Sequence, residues 1–210
     1  MYSQRRHRKP LVIPIIILIN ILVFLMWIFN PFSPDFMERH FLVSWQAIEA
    51  GRYWVFVTAA FSHNLFFHLF LNMFVLNSFG SFMEMFIGRR RIFLFYMIAG
   101  IMGNVAHAFT SNFFLNKPEL AALGASGAVA GVILLFSLLF PKEKILIFGI
   151  IPVPALFGAL AFVGLDLYGL YTQTLGGGLP IGHGAHLGGA FTGIIYYFVL
   201  RSRAKKKYYI

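Results

Sequence analysis

Cysteine is absent from the 210-residue chain. That excludes disulfide staples, thiolate nucleophiles and thiolate metal sites. Charge is scarce as well: 11% of residues are charged and only 7 are Asp or Glu, against 59% hydrophobic residues and a mean hydropathy of +0.77. A soluble globular domain does not have this composition, whereas a multi-pass membrane protein does. The chain contains no H-E-x-x-H zinc motif and no glycine fingerprint for a nucleotide, so neither a metal nor a cofactor is expected. A net charge of +10 would suit nucleic acid if the basic residues formed a stripe. They stand instead in short runs between apolar stretches, which is a topology pattern, and no nucleic-acid partner is expected.

What the sequence has in abundance is long apolar segments. Six are predicted as spanning helices, over 11–29, 63–87, 92–110, 126–140, 151–171 and 186–200, giving an all-α bundle that fills 1–210 as one membrane domain. The basic run Arg5 to Lys9 before the first segment resembles a signal peptide, but the apolar part is long and no small-x-small cleavage site follows, so it is read as a retained span. The connection 30–61 is rich in aromatics, with Trp45, Tyr53 and Trp54 suited to headgroup level, and is expected to lie in the membrane interface. Pro152 and Pro154 predict irregular first turns for the fifth span.

The basic residues orient the bundle. Of the 17 Lys and Arg, only Arg39, Arg52 and Lys117 fall on one set of alternate connections, so both termini are predicted to be cytoplasmic, in a bacterial cytoplasmic membrane. The second, fourth and sixth helices then enter from the opposite face. Their entrances carry His68 and Asn72, Ser126, and His186 to similar depth.

The stretch from Leu123 to Phe140, LGASGAVAGVILLFSLLF, opens with a serine between glycines and holds no charge. A helix from Ser126 to Phe140 rises only about 22 Å against roughly 30 Å of hydrocarbon, so the serine starts below the membrane surface. A hydroxyl there needs a base to become nucleophilic, and His186 can supply one. His183, three residues earlier, competes for that role, but His186 leads directly into AHLGGAFTG, whose Gly189 and Gly193 admit a neighbouring helix. Attack on a carbonyl creates an oxyanion, for which the Ser126 backbone N–H, the His68 ring and the Asn72 amide are candidate donors. Gly124 and Gly127 allow a sharp turn and close substrate approach. His68 and Asn72 share a helical face and can equally serve as glue between helices. Gly100, Gly103 and Ala106 form a packing face on the third helix, and Asn104 and His107 are read as packing residues. Asp166 is expected near a helix end, in polar surroundings or capping a turn, without catalytic work.

These motifs, in this order, resemble the rhomboid family of intramembrane serine proteases across nearly the whole chain. The G-x-S-G at Ser126 matches the family's nucleophile, and A-H-x-x-G-x-x-x-G at His186 matches its base. His68 and Asn72, as H-x-x-x-N, match its oxyanion side chains. His63 matches a further histidine, and Glu84 with Gly88 the E-x-x-x-G that closes the same helix. The resemblance implies a Ser–His dyad without an aspartate. It also implies substrates with one or a few spans, cut near the extracytoplasmic end of a locally unwound helix, with small Gly124 and Ala125 favouring a small residue before the scissile bond. Two positions depart from the pattern. Trp54 is followed by Val55 rather than arginine, and Ala130 stands where some members stack a tyrosine on the histidine, leaving the orienter of His186 unassigned. The competing reading is a catalytically inactive relative that binds and escorts membrane proteins, which the retention of both Ser126 and His186 disfavours.

Overall fold

The computed structural model describes residues 9–33, 35–147 and 150–208. The basic residues Arg5, Arg6 and Arg8, used above for orientation, and Pro34 lie outside them. The described chain is an all-α membrane bundle with one small hairpin. Its long helices are α1 (Val12–Phe29), the composite α5 (Phe66–Val75) and α6 (Ser81–Ile87), then α7 (Arg89–Phe113), α8 (Ser126–Leu139), α9 (Ala155–Thr174) and α10 (His183–Tyr208). Among the described residues, α1, the composite 66–87 helix, α7 and α9 are each long and apolar enough to cross a membrane. Large apolar side chains such as Leu18, Phe70, Leu160 and Phe191 are exposed on the outer surface, as a lipid-facing wall requires.

Helix α8 is the axis of the bundle. It is apolar on every side, and from Gly127 to Val132 and Leu134 to Ser137 every residue is buried. Small residues let α7 and α10 close on it. A β-carbon on Gly103 would lie 2.9 Å from the Ala185 carbonyl oxygen, and one on Gly131 2.8 Å from that of Gly189. Backbones this close gain dispersion contacts that lipid tails cannot supply. The expected packing face on α7 is therefore real. Asn104 and His107 also behave as packing residues, bonding the carbonyls of Phe56 (2.8 Å) and Leu120 (3.0 Å).

Helix α1 has no acidic residue in its own first turn, yet its orphan N–H groups are satisfied. Buried Glu84 of α6 reaches across: Oε1 accepts from Leu11 (2.7 Å) and Val12 (3.0 Å), and Oε2 accepts from Ile13 (2.9 Å). Between α5 and α6 the composite helix widens into a π-turn over Leu76–Gly80, and it ends at Gly88, whose φ of +92° suits glycine.

Several predicted helix bounds need correction: the third helix is Arg89–Phe113 rather than 92–110, and the sixth starts at His183 rather than 186. The fifth helix starts at Ala155 rather than 151, because 151–154 form strand β2 (Ile151–Pro154), paired antiparallel with β1 (Lys144–Ile147). Each proline biases the residue before it towards extended backbone, so Ile-Pro-Val-Pro reads as a strand and the helix begins once the prolines are passed. The second helix starts at Phe66 rather than 63, leaving His63 in the turn before it. The connection 30–61 is mostly folded, with short helices α2 (Phe36–Phe41), α3 (Trp45–Glu49) and α4 (Val55–Thr58) and a 3-10 turn over Ala59–Phe61.

Candidate active site

Ser126 is the first residue of α8, and the segment before it is fastened on several sides. Val43 and Ala122 exchange backbone hydrogen bonds (2.9 and 2.8 Å), the Gly124 N–H donates to the Ala59 carbonyl (2.9 Å), and the Ala125 N–H donates to His63 Nε2 (3.4 Å). The first connection is thus a brace for the serine. Gly124 has a φ of +133°, and a β-carbon there would stand 2.7 Å from His68 Cε1, so both backbone and space demand glycine. The same probe position is 3.7 Å from Ser126 Oγ, which puts the His68 ring beside the serine. The rings of His63 and His68 meet edge to face at 4.9 Å.

His186 arrives from the opposite wall. The residues flanking the two candidate groups touch: a β-carbon on Gly127 would lie 3.1 Å from the Ala185 carbonyl oxygen, and one on Gly189 would overlap the Gly127 carbonyl. One turn deeper, a β-carbon on Gly193 would lie 2.7 Å from the Gly131 carbonyl oxygen. Ser126 and His186, 60 positions apart, are therefore neighbours at the entrances of two interlocked helices. His186 makes no hydrogen bond to the Ser126 hydroxyl among the described residues; its Nδ1 engages Asp166 Oδ1 at 2.9 Å.

Asp166 corrects the sequence reading most. It is buried in the body of α9, not near its end, and the same Oδ1 meets His183 Nδ1 at 2.6 Å. Phe162, one turn earlier, lies along the His186 ring with centroids 5.5 Å apart. Two contacts to the His186 ring thus come from α9. A signal was present: Asp166 is in helical phase with Ala155, Ala159 and Gly169, the small residues that face the bundle. Asp166, His183 and His186 also form a three-donor cluster, with ligand atoms within 4.8 Å of one another.

Asn72 is placed less simply than expected. It is buried on the same side as His68, but its amide donates to the His68 carbonyl at 2.9 Å, within its own helix. The Gly124 and Ala125 N–H groups are likewise committed, to Ala59 and His63, which leaves the Ser126 N–H at the start of α8 as the next donor along the chain. Asn72 keeps a second N–H.

A serine at a helix N-terminus, a histidine with one ring nitrogen tied to a carboxylate, and a second histidine beside the serine are the parts of an acyl-transfer site. The Rhomboid domain family model matches residues 50–203. The chain is 33% identical over 211 residues to "Rhomboid protein 1, mitochondrial" of Saccharomyces cerevisiae, covering 97% of this chain and 57% of that protein. It is 30% identical over 198 residues to "RHOMBOID-like protein 12, mitochondrial" of Arabidopsis thaliana, covering 89% and 57%. It is 32% identical over 103 residues to "Inactive RHOMBOID-like protein 8" of Arabidopsis thaliana, covering 49% and 28%. The chain belongs to the rhomboid family. It spans a little over half the length of the first two relatives. The expected bacterial cytoplasmic membrane does not fit their mitochondrial names; what stands is a multi-pass membrane protein.

Proposed function

We propose that this rhomboid-family chain is an intramembrane serine endopeptidase that hydrolyses peptide bonds of transmembrane proteins near the extracytoplasmic side. Ser126 is the nucleophile, His186 the general base, and Asp166 a neighbour of the base. The observation that supports this is the interlock of α8 and α10 at Gly127, Ala185 and Gly189, which brings the backbones flanking the two groups into contact. The missing Ser126–His186 hydrogen bond accords with resting active sites, where such bonds are often long and tighten with substrate.

As Oγ bonds the substrate carbonyl carbon, its proton passes to His186, and then to the leaving amine as the C–N bond breaks. The oxyanion is met by the Ser126 N–H at the start of α8 and by His68, with the second N–H of Asn72 in reserve. His63 and the brace from 43 to 59 hold the loop so that these donors need not reorganise. Single- or few-span membrane proteins are the substrates, and the bilayer is both solvent and partner. The connection 30–61 lies in the interface.

The second reading, an inactive relative that binds and escorts membrane proteins, is favoured only by the name of one partial match. The two separate in one experiment. Purified protein in lipid should cleave a test transmembrane substrate, the Ser126→Ala protein should not, and a fluorophosphonate should modify Ser126. Substrate binding with no cleavage and no modification of Ser126 would establish the escort reading.

A further inference from the structure

Helix α9 is the least embedded of the four long apolar helices, touching the bundle through a narrow stripe. Its buried residues are Ala155, Ala159, Asp166 and Gly169, with Phe162 half-buried between them. All but one of these are residues a membrane helix uses to pack. The exception is a carboxylate, which is costly at that depth unless it is paired. Its pairing is double and specific: one oxygen faces Nδ1 of both His183 and His186. Gly169, one turn on, leaves its space to the His183 ring, which a β-carbon there would overlap.

A neutral imidazole that donates Nδ1–H to a carboxylate carries its lone pair on Nε2. That is the tautomer a base directed at Ser126 requires. We infer that Asp166 is a positioning residue, delivered by α9, that fixes His186 in the Nδ1–H tautomer and stabilises the imidazolium formed when Ser126 gives up its proton. The inference rests on the Ser126–His186 reading above and replaces a bare dyad with an Asp–His–Ser relay. The proton moves from Ser126 Oγ to His186 Nε2 and on to the leaving amine, and none passes to the carboxylate. His183, the second donor to the same oxygen, holds the carboxylate against α10 while His186 turns over. The cluster contains three donors suited to a divalent cation, and its Nδ1 to Oδ1 distances of 2.6 and 2.9 Å are hydrogen-bond distances.

The test uses the full-length protein in lipid, and compares the parent with Asp166→Asn and Asp166→Glu. Asparagine keeps the shape but cannot hold both donors as an anion. It should lower both kcat and the rate of fluorophosphonate modification of Ser126 by about 10²- to 10³-fold, against the roughly 10⁴-fold known for the equivalent change in a soluble triad, with KM within about twofold. Glutamate should recover at least about tenfold of that loss. Histidine-labelled NMR of the parent should show a hydrogen-bonded Nδ1–H and an unprotonated Nε2 on neutral His186, the tautomer a base directed at Ser126 needs, and this readout holds even if the asparagine variant does not fold. Equal modification rates in parent and Asp166→Asn would overturn the inference while leaving the serine protease reading intact. So would a neutral His186 carrying its proton on Nε2, or stoichiometric zinc whose chelation abolishes activity. A parent protein never modified at Ser126 would overturn the underlying reading and the inference with it.

Discussion

Gly189 of α10 lies so close to Gly127 of α8 that a β-carbon on Gly189 would overlap the Gly127 carbonyl oxygen. The obstacle is backbone, which cannot rotate away as a flexible side chain can, so the two helices must separate to admit any other residue. Overpacking of this kind costs about 1–3 kcal/mol, and it also widens the gap between Ser126 and His186. Gly189→Ala should lower Tm and cut cleavage more than tenfold, since about 1 Å of misplacement can cost about 10² in rate. Gly164, with open space at its β position, is the control, and Gly164→Ala should be tolerated. Comparable cleavage by the Gly189→Ala and parent proteins would detach the interlock from activity.

Glu84 holds the start of α1 from a distance of more than 70 residues. Glu84→Ala leaves three buried or half-buried N–H groups without acceptors, and each costs about 1–3 kcal/mol when unsatisfied. The variant should therefore show a large fall in Tm in detergent, with α1 the first element to become accessible to protease. Glu84→Gln keeps one acceptor oxygen and should fall in between. An unchanged melting profile for Glu84→Ala would mean that water or lipid headgroups replace the carboxylate.

The helical segments and the approach of the helix entrances that carry Ser126 and His186 were legible because their signals are local in the sequence: an apolar run, a glycine-flanked serine, a histidine opening a small-residue helix. Helix α8, short and apolar all round, announces its central place. Asp166 was misread because a carboxylate in an apolar run is judged by its nearest end, whereas its meaning lies in phase with Ala155, Ala159 and Gly169. The hairpin before α9 was hidden by hydrophobicity, since Ile151 and Val153 suit a strand and a span equally and only the alternating prolines tell them apart. Glu84's partners are backbone N–H groups of another helix, and no side-chain pattern records them.

Orientation is the prediction on which the depth argument depends. With Arg90 and Lys142 on one set of connections and Arg39, Arg52 and Lys117 on the other, the ends of the chain should face the cytoplasm. The protein lacks cysteine, so single cysteines can be introduced at Arg90, Lys117 and Lys205 and probed with an impermeant reagent. Labelling from outside should occur only at 117. Labelling at 90 or 205 would reverse the bundle and move the proposed cleavage to the other face.

Asn72 has one N–H on the His68 carbonyl and one to spare. If the spare N–H meets the oxyanion, Asn72→Ala should lower kcat by about 10- to 10³-fold, with KM little changed. A loss confined to Tm, with kcat per folded molecule equal to that of the parent, would assign Asn72 to helix geometry alone.

Ser126 and His186 act as a unit in the proposed chemistry, and units are not additive. Without the base the serine keeps its proton, and without the serine the base has nothing to activate. Ser126→Ala and His186→Ala should therefore each abolish proteolysis, and the double variant should be no slower than either single one. Both residues stand at helix entrances and neither change opens a large cavity, so Tm should move little in all three. His183→Ala separates the two rings on Asp166. It removes one donor from the carboxylate but leaves the His186 bond in place, so it should be less damaging than His186→Ala. The measurement is single-turnover cleavage of a test transmembrane substrate in lipid, with peptide mass mapping of fluorophosphonate adducts alongside. Modification of a serine other than Ser126, undiminished cleavage by the Ser126→Ala protein, or a His183→Ala protein slower than His186→Ala would each reject the assignment of base and nucleophile.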